Sequence, residues 1–197
     1  MADISQTPAN LRPDRSSVGG ALTFLVHRWP TLLGLLAMAF SVFDDQDGRA
    51  QGIVVFLAAL VYLATAVVGR PGVAWILLGA CIVGVTVVRL LDAELWPALV
   101  AGAASIIILS LVSDLPRRPR LAAMQIPLML VCGAAAVVAL SLSPALGSYL
   151  VAAALIGHGI QDVIVWRANK VVARSLAEFC LVLDLTLGVA IIILQLT

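Results

Sequence analysis

Seven apolar runs, each about twenty residues long and parted by short polar or Pro/Gly breaks, account for nearly all of the chain after residue 20. A run of that length is what an α-helix needs to cross a hydrocarbon core ~30 Å thick. Lipid offers no partner to exposed backbone groups, so the runs must be helices, and a barrel would alternate apolar and polar residues instead. The expected fold is an all-α, polytopic transmembrane bundle of seven helices. Composition agrees: the 197 residues are 62% hydrophobic and 12% charged, against about 25% charged in soluble domains. Residues 1–20, polar and rich in Pro, Ser and Gly, read as a disordered cytoplasmic tail, and residues 21–197 as one transmembrane domain. A net charge of +1 excludes a strongly basic nucleic-acid surface, so no nucleic-acid partner is expected.

The runs cover residues 22–43, 50–69, 73–91, 95–113, 121–142, 144–166 and 175–196. Pro30 suits a first helical turn, so the buried part of the first run is expected to begin near Trp29, with residues 22–28 at the interface. Pro127 inside the fifth run predicts a kink. Small residues spaced by four, Ala80/Gly84, Ala98/Gly102 and Ala153/Gly157, would let neighbouring helices approach closely. Residues 32–39 with Ala37-Met38-Ala39 mimic a signal-peptide core and cleavage site, but the long, partly apolar segment before them is not a compact basic leader.

Basic residues set the orientation. Arg12, Arg15, Arg70, Arg117, Arg118, Arg120, Arg167, Lys170 and Arg174 fall on the side of the N-terminal tail, with Arg28 close to it, and only Arg49 and Arg89 fall on the other. That asymmetry predicts a cytoplasmic N-terminus and an outer C-terminus. Asp44, Asp45, Asp47, Asp92 and Glu94 then gather outside, as solvated loop charges or the rim of a second polar mouth, with Arg89 pairing with one of them or snorkelling outward. The preference for Arg over the single Lys170 suggests a GC-rich bacterial genome and hence the bacterial cytoplasmic membrane.

Charges inside a span cost about 2.5–3.5 kcal/mol each on insertion scales, so those without a topological role are candidates for function. His158 and Asp162 lie four residues apart on one face of the sixth run. Cys180, Asp184, Gly188 and Gln195 form a stripe on the seventh, with Gly188 opening space beside it and Glu178 about 120° away. Counting inward at about 1.5 Å per residue, His158 lies about 14 Å from Arg167 and Asp184 about 15 Å from Arg174, the same level if the two helices form an antiparallel hairpin. Asp162 and Glu178 match at a shallower level. A cluster of His158, Asp162, Glu178 and Asp184 in the inner half of the bundle is therefore predicted. Structural alternatives stand beside it: Asp162 could pair with Arg167 or Arg174, and Ser175-Leu176-Ala177-Glu178 is a capping-box pattern. Cys81, Cys132 and Cys180 read as small apolar packing residues.

The chain has no phosphate-binding loop, His-Glu-x-x-His or Gly-x-Ser-x-Gly motif. Retinal-type photoreceptors share the helix count, but Lys170 sits in a loop. With two histidines, a histidine-rich metal site such as that of seven-helix ceramidase-like hydrolases cannot be filled. His158, Asp162 and Asp184 could make only an open metal site, and neither metal nor cofactor is expected. Residues 157–163, Gly157-His158-Gly159-Ile160-Gln161-Asp162-Val163, and 174–184, from Arg174-Ser175-Leu176-Ala177-Glu178 to Asp184, resemble the C-terminal part of small multi-pass membrane proteins of actinobacterial genomes, mostly uncharacterised. The resemblance implies no particular activity.

Three functions fit these residues. As an enzyme, Asp162 or Asp184 would protonate a membrane-dissolved isoprenoid and start its cyclisation, with Trp75, Trp96 and Trp166 stabilising cations; integral-membrane terpene cyclases are similar in size and helix count. As a transporter, the same cluster would carry a proton or cation. As an accessory subunit, the buried charges would pair with other membrane subunits. The expected partners are the lipid bilayer and an apolar small molecule or further subunits.

Overall fold

The computed structural model describes residues 28–44 and 47–196, apart from the side chain of Asp44. The tail of residues 1–20, the interfacial segment before Arg28, and Asp45 lie outside the described residues. All described secondary structure is helical. The helices are α1 (Trp29–Asp44), α2 (Gly52–Val68), α3 (Ala74–Leu90), α4 (Leu95–Val112), α5 (Arg120–Ala123), α6 (Gln125–Ala139), α7 (Pro144–Ala168) and α8 (Arg174–Leu196).

Five helical segments are long and apolar enough to cross a membrane: Pro71–Leu90, Leu95–Val112, Arg120–Ala139, Pro144–Ala168 and Arg174–Leu196. The two remaining apolar helices, Trp29–Phe43 and Gly52–Val68, are shorter than the expected spans. At about 1.5 Å per residue, the 17 residues of α2 reach about 26 Å, a few ångströms less than a typical core.

Local chemistry fixes the boundaries. Gly69 ends α2 in the left-handed conformation at φ 72°, and its N–H donates to the Thr65 carbonyl. Asn169 ends α7 with φ 50°. Pro144 stands in the first turn of α7, where its missing N–H costs nothing. The kink expected at Pro127 is a break at Met124: proline has no N–H to give the Ala123 carbonyl, so the helix parts into α5 and α6.

Helix α2 is the centre of the bundle, packed against α3, α4, α6 and α7 and buried on nearly every side. Helices α7 and α8 form the most extensive pair, and α1 lies along α8. Glycine permits two of these approaches. A Cβ on Gly34 would lie 2.8 Å from the Phe179 carbonyl oxygen, and one on Gly188 would lie 2.9 Å from Ile156. Gly188 thus brings α7 and α8 together, and the space expected beside it is filled by α7. The predicted small-residue pairs do the opposite: Gly84, Gly102 and Gly157 have no neighbour within 4 Å of a Cβ, and all six residues of the pairs face outward. Much of the outer surface is apolar, including Phe40, Phe43, Ile76, Leu90 and Val112, as a lipid-facing exterior requires.

Candidate functional site: a buried histidine–aspartate–aspartate triad

Helix α7 turns His158, Gln161 and Asp162 toward the interior, because steps of three and four residues keep one face. Helix α8 turns Asp184 toward them from the next element of the hairpin. His158 Nδ1 and Asp184 Oδ2 share a hydrogen bond of 2.8 Å, and the same Nδ1 lies 3.5 Å from Asp162 Oδ2. All three side chains are wholly buried. The meeting of His158 and Asp184 at one level is what counting inward from the basic loop predicts.

One further polar side chain packs on the triad, and two glutamines pair on the helices around it. The ring of Tyr62, from central helix α2, stands edge-on to the His158 ring with centroids 5.0 Å apart, and its hydroxyl is buried without a hydrogen-bond partner. Gln161 donates through Nε2 to Gln125 Oε1 at 3.0 Å, and Gln125 donates through its own Nε2 to the Leu121 carbonyl at 2.8 Å. His158 Nε2, both oxygens of Asp162, Asp184 Oδ1 and Gln161 Oε1 are buried and unbonded. Sequence reasoning passed over Tyr62, Gln125 and Gln161. The signal was present: Tyr62 interrupts an aliphatic run, and the two glutamines are uncharged polar residues inside apolar helices.

Glu178 does not join the cluster. It accepts hydrogen bonds from Thr31 Oγ1 at 2.5 Å and Arg28 at 3.5 Å, tying α8 to α1. The 120° offset from Asp184 decides this, because it points Glu178 to the neighbour on the other side of α8. The capping box is likewise not made: Ser175 Oγ accepts the indole N–H of Trp75 at 2.9 Å. Nor does Asp162 pair with Arg174, whose guanidinium lies over the Trp166 ring, 5.0 Å from its centroid. Trp75 packs with Trp29 and Phe179, and Trp96 with Phe56; Trp75, Trp96 and Trp166 stand near helix ends, the usual interfacial position of tryptophan. Cys81, Cys132 and Cys180 are free thiols, the last two buried.

On charge alone, an imidazolium with two carboxylates leaves the triad one negative charge in a water-excluded interior, where an uncompensated charge is costly. One further proton on a carboxylate makes it neutral. A ring nitrogen of His158 and one oxygen from each aspartate also lie within 4.8 Å of one another, enough to hold a cation with an open coordination position, but metal ligation at Nδ1 would have to break its 2.8 Å bond to Asp184. The chain matches no protein-family model, no curated protein and no solved structure.

Proposed function

We propose that the protein is a small proton-coupled membrane transporter in which His158, Asp162 and Asp184 take up and release the coupling proton. The observation that carries this reading is the triad itself: His158 bonded to Asp184 and 3.5 Å from Asp162, all three side chains wholly buried among apolar helices, whose charges balance only when an extra proton is held. Gln161, the sequence neighbour of Asp162, donates to Gln125 and Gln125 to the Leu121 carbonyl, and Leu121 with Thr65, Arg118 and Lys170 lines a cavity of about 260 Å³ beside the basic loops. This supports exchange of the proton with the basic side.

Acid-initiated cyclisation of an isoprenoid is less well supported. It needs an apolar chamber facing the acid, and the cavities of about 260, 290 and 330 Å³ among the described residues are lined by other side chains. The tryptophans that would stabilise cations are braced elsewhere. We further propose seven spans, α1 and α2 crossing as short helices with local bilayer thinning, and a cytoplasmic basic side in a bacterial inner membrane.

The test is an infrared pH titration of the purified protein, with dissipation of a pH gradient measured in reconstituted vesicles. A protonated-carboxyl band that titrates, and is lost in Asp162→Asn or Asp184→Asn together with proton movement, supports the proposal. Variants that move protons like the parent, or that fail to insert at all, assign the triad a structural role and overturn it.

A further inference from the structure

Of the described basic residues, Arg49 and Arg89 alone break the charge asymmetry that orients the chain, and both line one cavity of about 290 Å³. It lies where the α1–α2 turn, the end of α3 and the start of α4 meet. Topology explains the other cations but gives no reason for these two to converge. Arg49 is fully engaged: it binds both carboxylate oxygens of Asp47 at 2.6–3.0 Å and donates to the Leu142 carbonyl at 3.1 Å. The guanidinium of Arg89, in the last turn of α3, makes no hydrogen bond or ion pair with any described residue; Asp92 and Glu94, its acidic neighbours in sequence, are not among the described residues lining the cavity.

The remaining wall is apolar and braced. Trp96 is held edge-on by Phe56, ring centroids 5.9 Å apart, and Ala50, Ile53, Leu95 and Leu140 line the rest. Leu95 and Trp96 open the 18-residue helix α4, so its positive dipole end adds to the two guanidinium groups, against the negative charge of Asp47 alone among the described lining residues. Beside the cavity, Val87, Leu90 and Leu91 present apolar surface to the outside. A free guanidinium fork suits two oxygens of one anion, and the apolar wall suits a hydrocarbon portion.

We propose that this cavity binds an anionic amphiphile, its phosphate or carboxylate group on Arg89 and its apolar part against Trp96 and the exposed end of α3. The phosphate is shared chemistry between a lipid headgroup and a free anion. This inference is independent of the triad.

The experiment uses the full chain in neutral detergent and follows thermal unfolding as phosphatidylglycerol, phosphatidylcholine or inorganic phosphate is added, in the parent, Arg89→Gln and Arg167→Gln. The Arg89 guanidinium has no partner to lose among the described residues, so its variant should fold, and Arg167 is a basic-side control. The expected result is an upward shift of the unfolding temperature with phosphatidylglycerol but not phosphatidylcholine, with the half-saturating concentration raised about tenfold in Arg89→Gln and unchanged in Arg167→Gln. The same Arg89-dependent shift with inorganic phosphate would assign the site to a free anion. No selective shift, or an equal one in parent and Arg89→Gln, overturns the proposal.

Discussion

His158 is held by two carboxylates on different helices, so its removal leaves both acids buried without a counter-charge. His158→Ala should destabilise the protein by about 3–5 kcal/mol, read as a lowered unfolding temperature in detergent. Asp184→Asn is gentler, because the amide oxygen still accepts from Nδ1–H; the variant should insert and fold near normally while losing proton uptake. Glu178→Gln makes the contrast. It weakens a half-buried contact to Thr31 and Arg28, worth about 0.5–1.5 kcal/mol, and should leave proton uptake intact; loss of uptake in this variant would return Glu178 to the site. The meeting of His158 with Asp184 was legible from residue counts along two helices. The exclusion of Glu178 was not fully so, because a 120° offset names a different face without naming the helix that covers it.

At the scale of elements, glycine sorts by neighbour rather than by motif. Gly34→Ala should cost about 1–3 kcal/mol, since its Cβ meets the Phe179 carbonyl oxygen of α8 and neither backbone can easily yield. Gly157→Ala, on an outward face with nothing within 4 Å, should be neutral or stabilising by up to about 1 kcal/mol through helix propensity; equal unfolding temperatures for the two variants would contradict this packing. The turn between α1 and α2 carries a pH signature. Arg49 beside Asp47 holds that carboxyl below its ordinary value, so the clasp stabilises the folded state above the unfolded value of about 3.9 and is lost as pH falls through the lower folded value. Asp47→Asn should therefore lower the unfolding temperature at neutral pH, and the difference from the parent should vanish in acid. Pro127 was readable as a kink because a missing N–H acts locally, whereas the full break at Met124 was not. The outward direction of the Ala80/Gly84, Ala98/Gly102 and Ala153/Gly157 pairs was not, because the same spacing serves an interface or a lipid-facing surface equally well.

At the scale of the whole molecule, the bundle is built around α2, which buries nearly its whole surface, while α3 and α4 lie at the periphery. If α1 and α2 cross despite their length, cysteines replacing Arg28 and Arg70 should be labelled only from the cytoplasmic side and one replacing Asp47, in the turn between the two helices, only from outside; labelling of all three from one side would remove the seven-span arrangement. The sequence by itself determined the helical class, the breaks between runs, and the short remainder of polar groups that topology leaves unexplained. Those follow from hydropathy, backbone chemistry and charge, which act along the chain. Only the tertiary structure decided which helix each polar face meets: Tyr62 against His158, Gln125 against Gln161, Glu178 against α1, Arg89 beside Arg49 in one cavity. Helical periodicity fixes a side chain's direction about its own axis, whereas its partner depends on the order in which helices pack, and apolar runs this alike in composition do not encode that order locally.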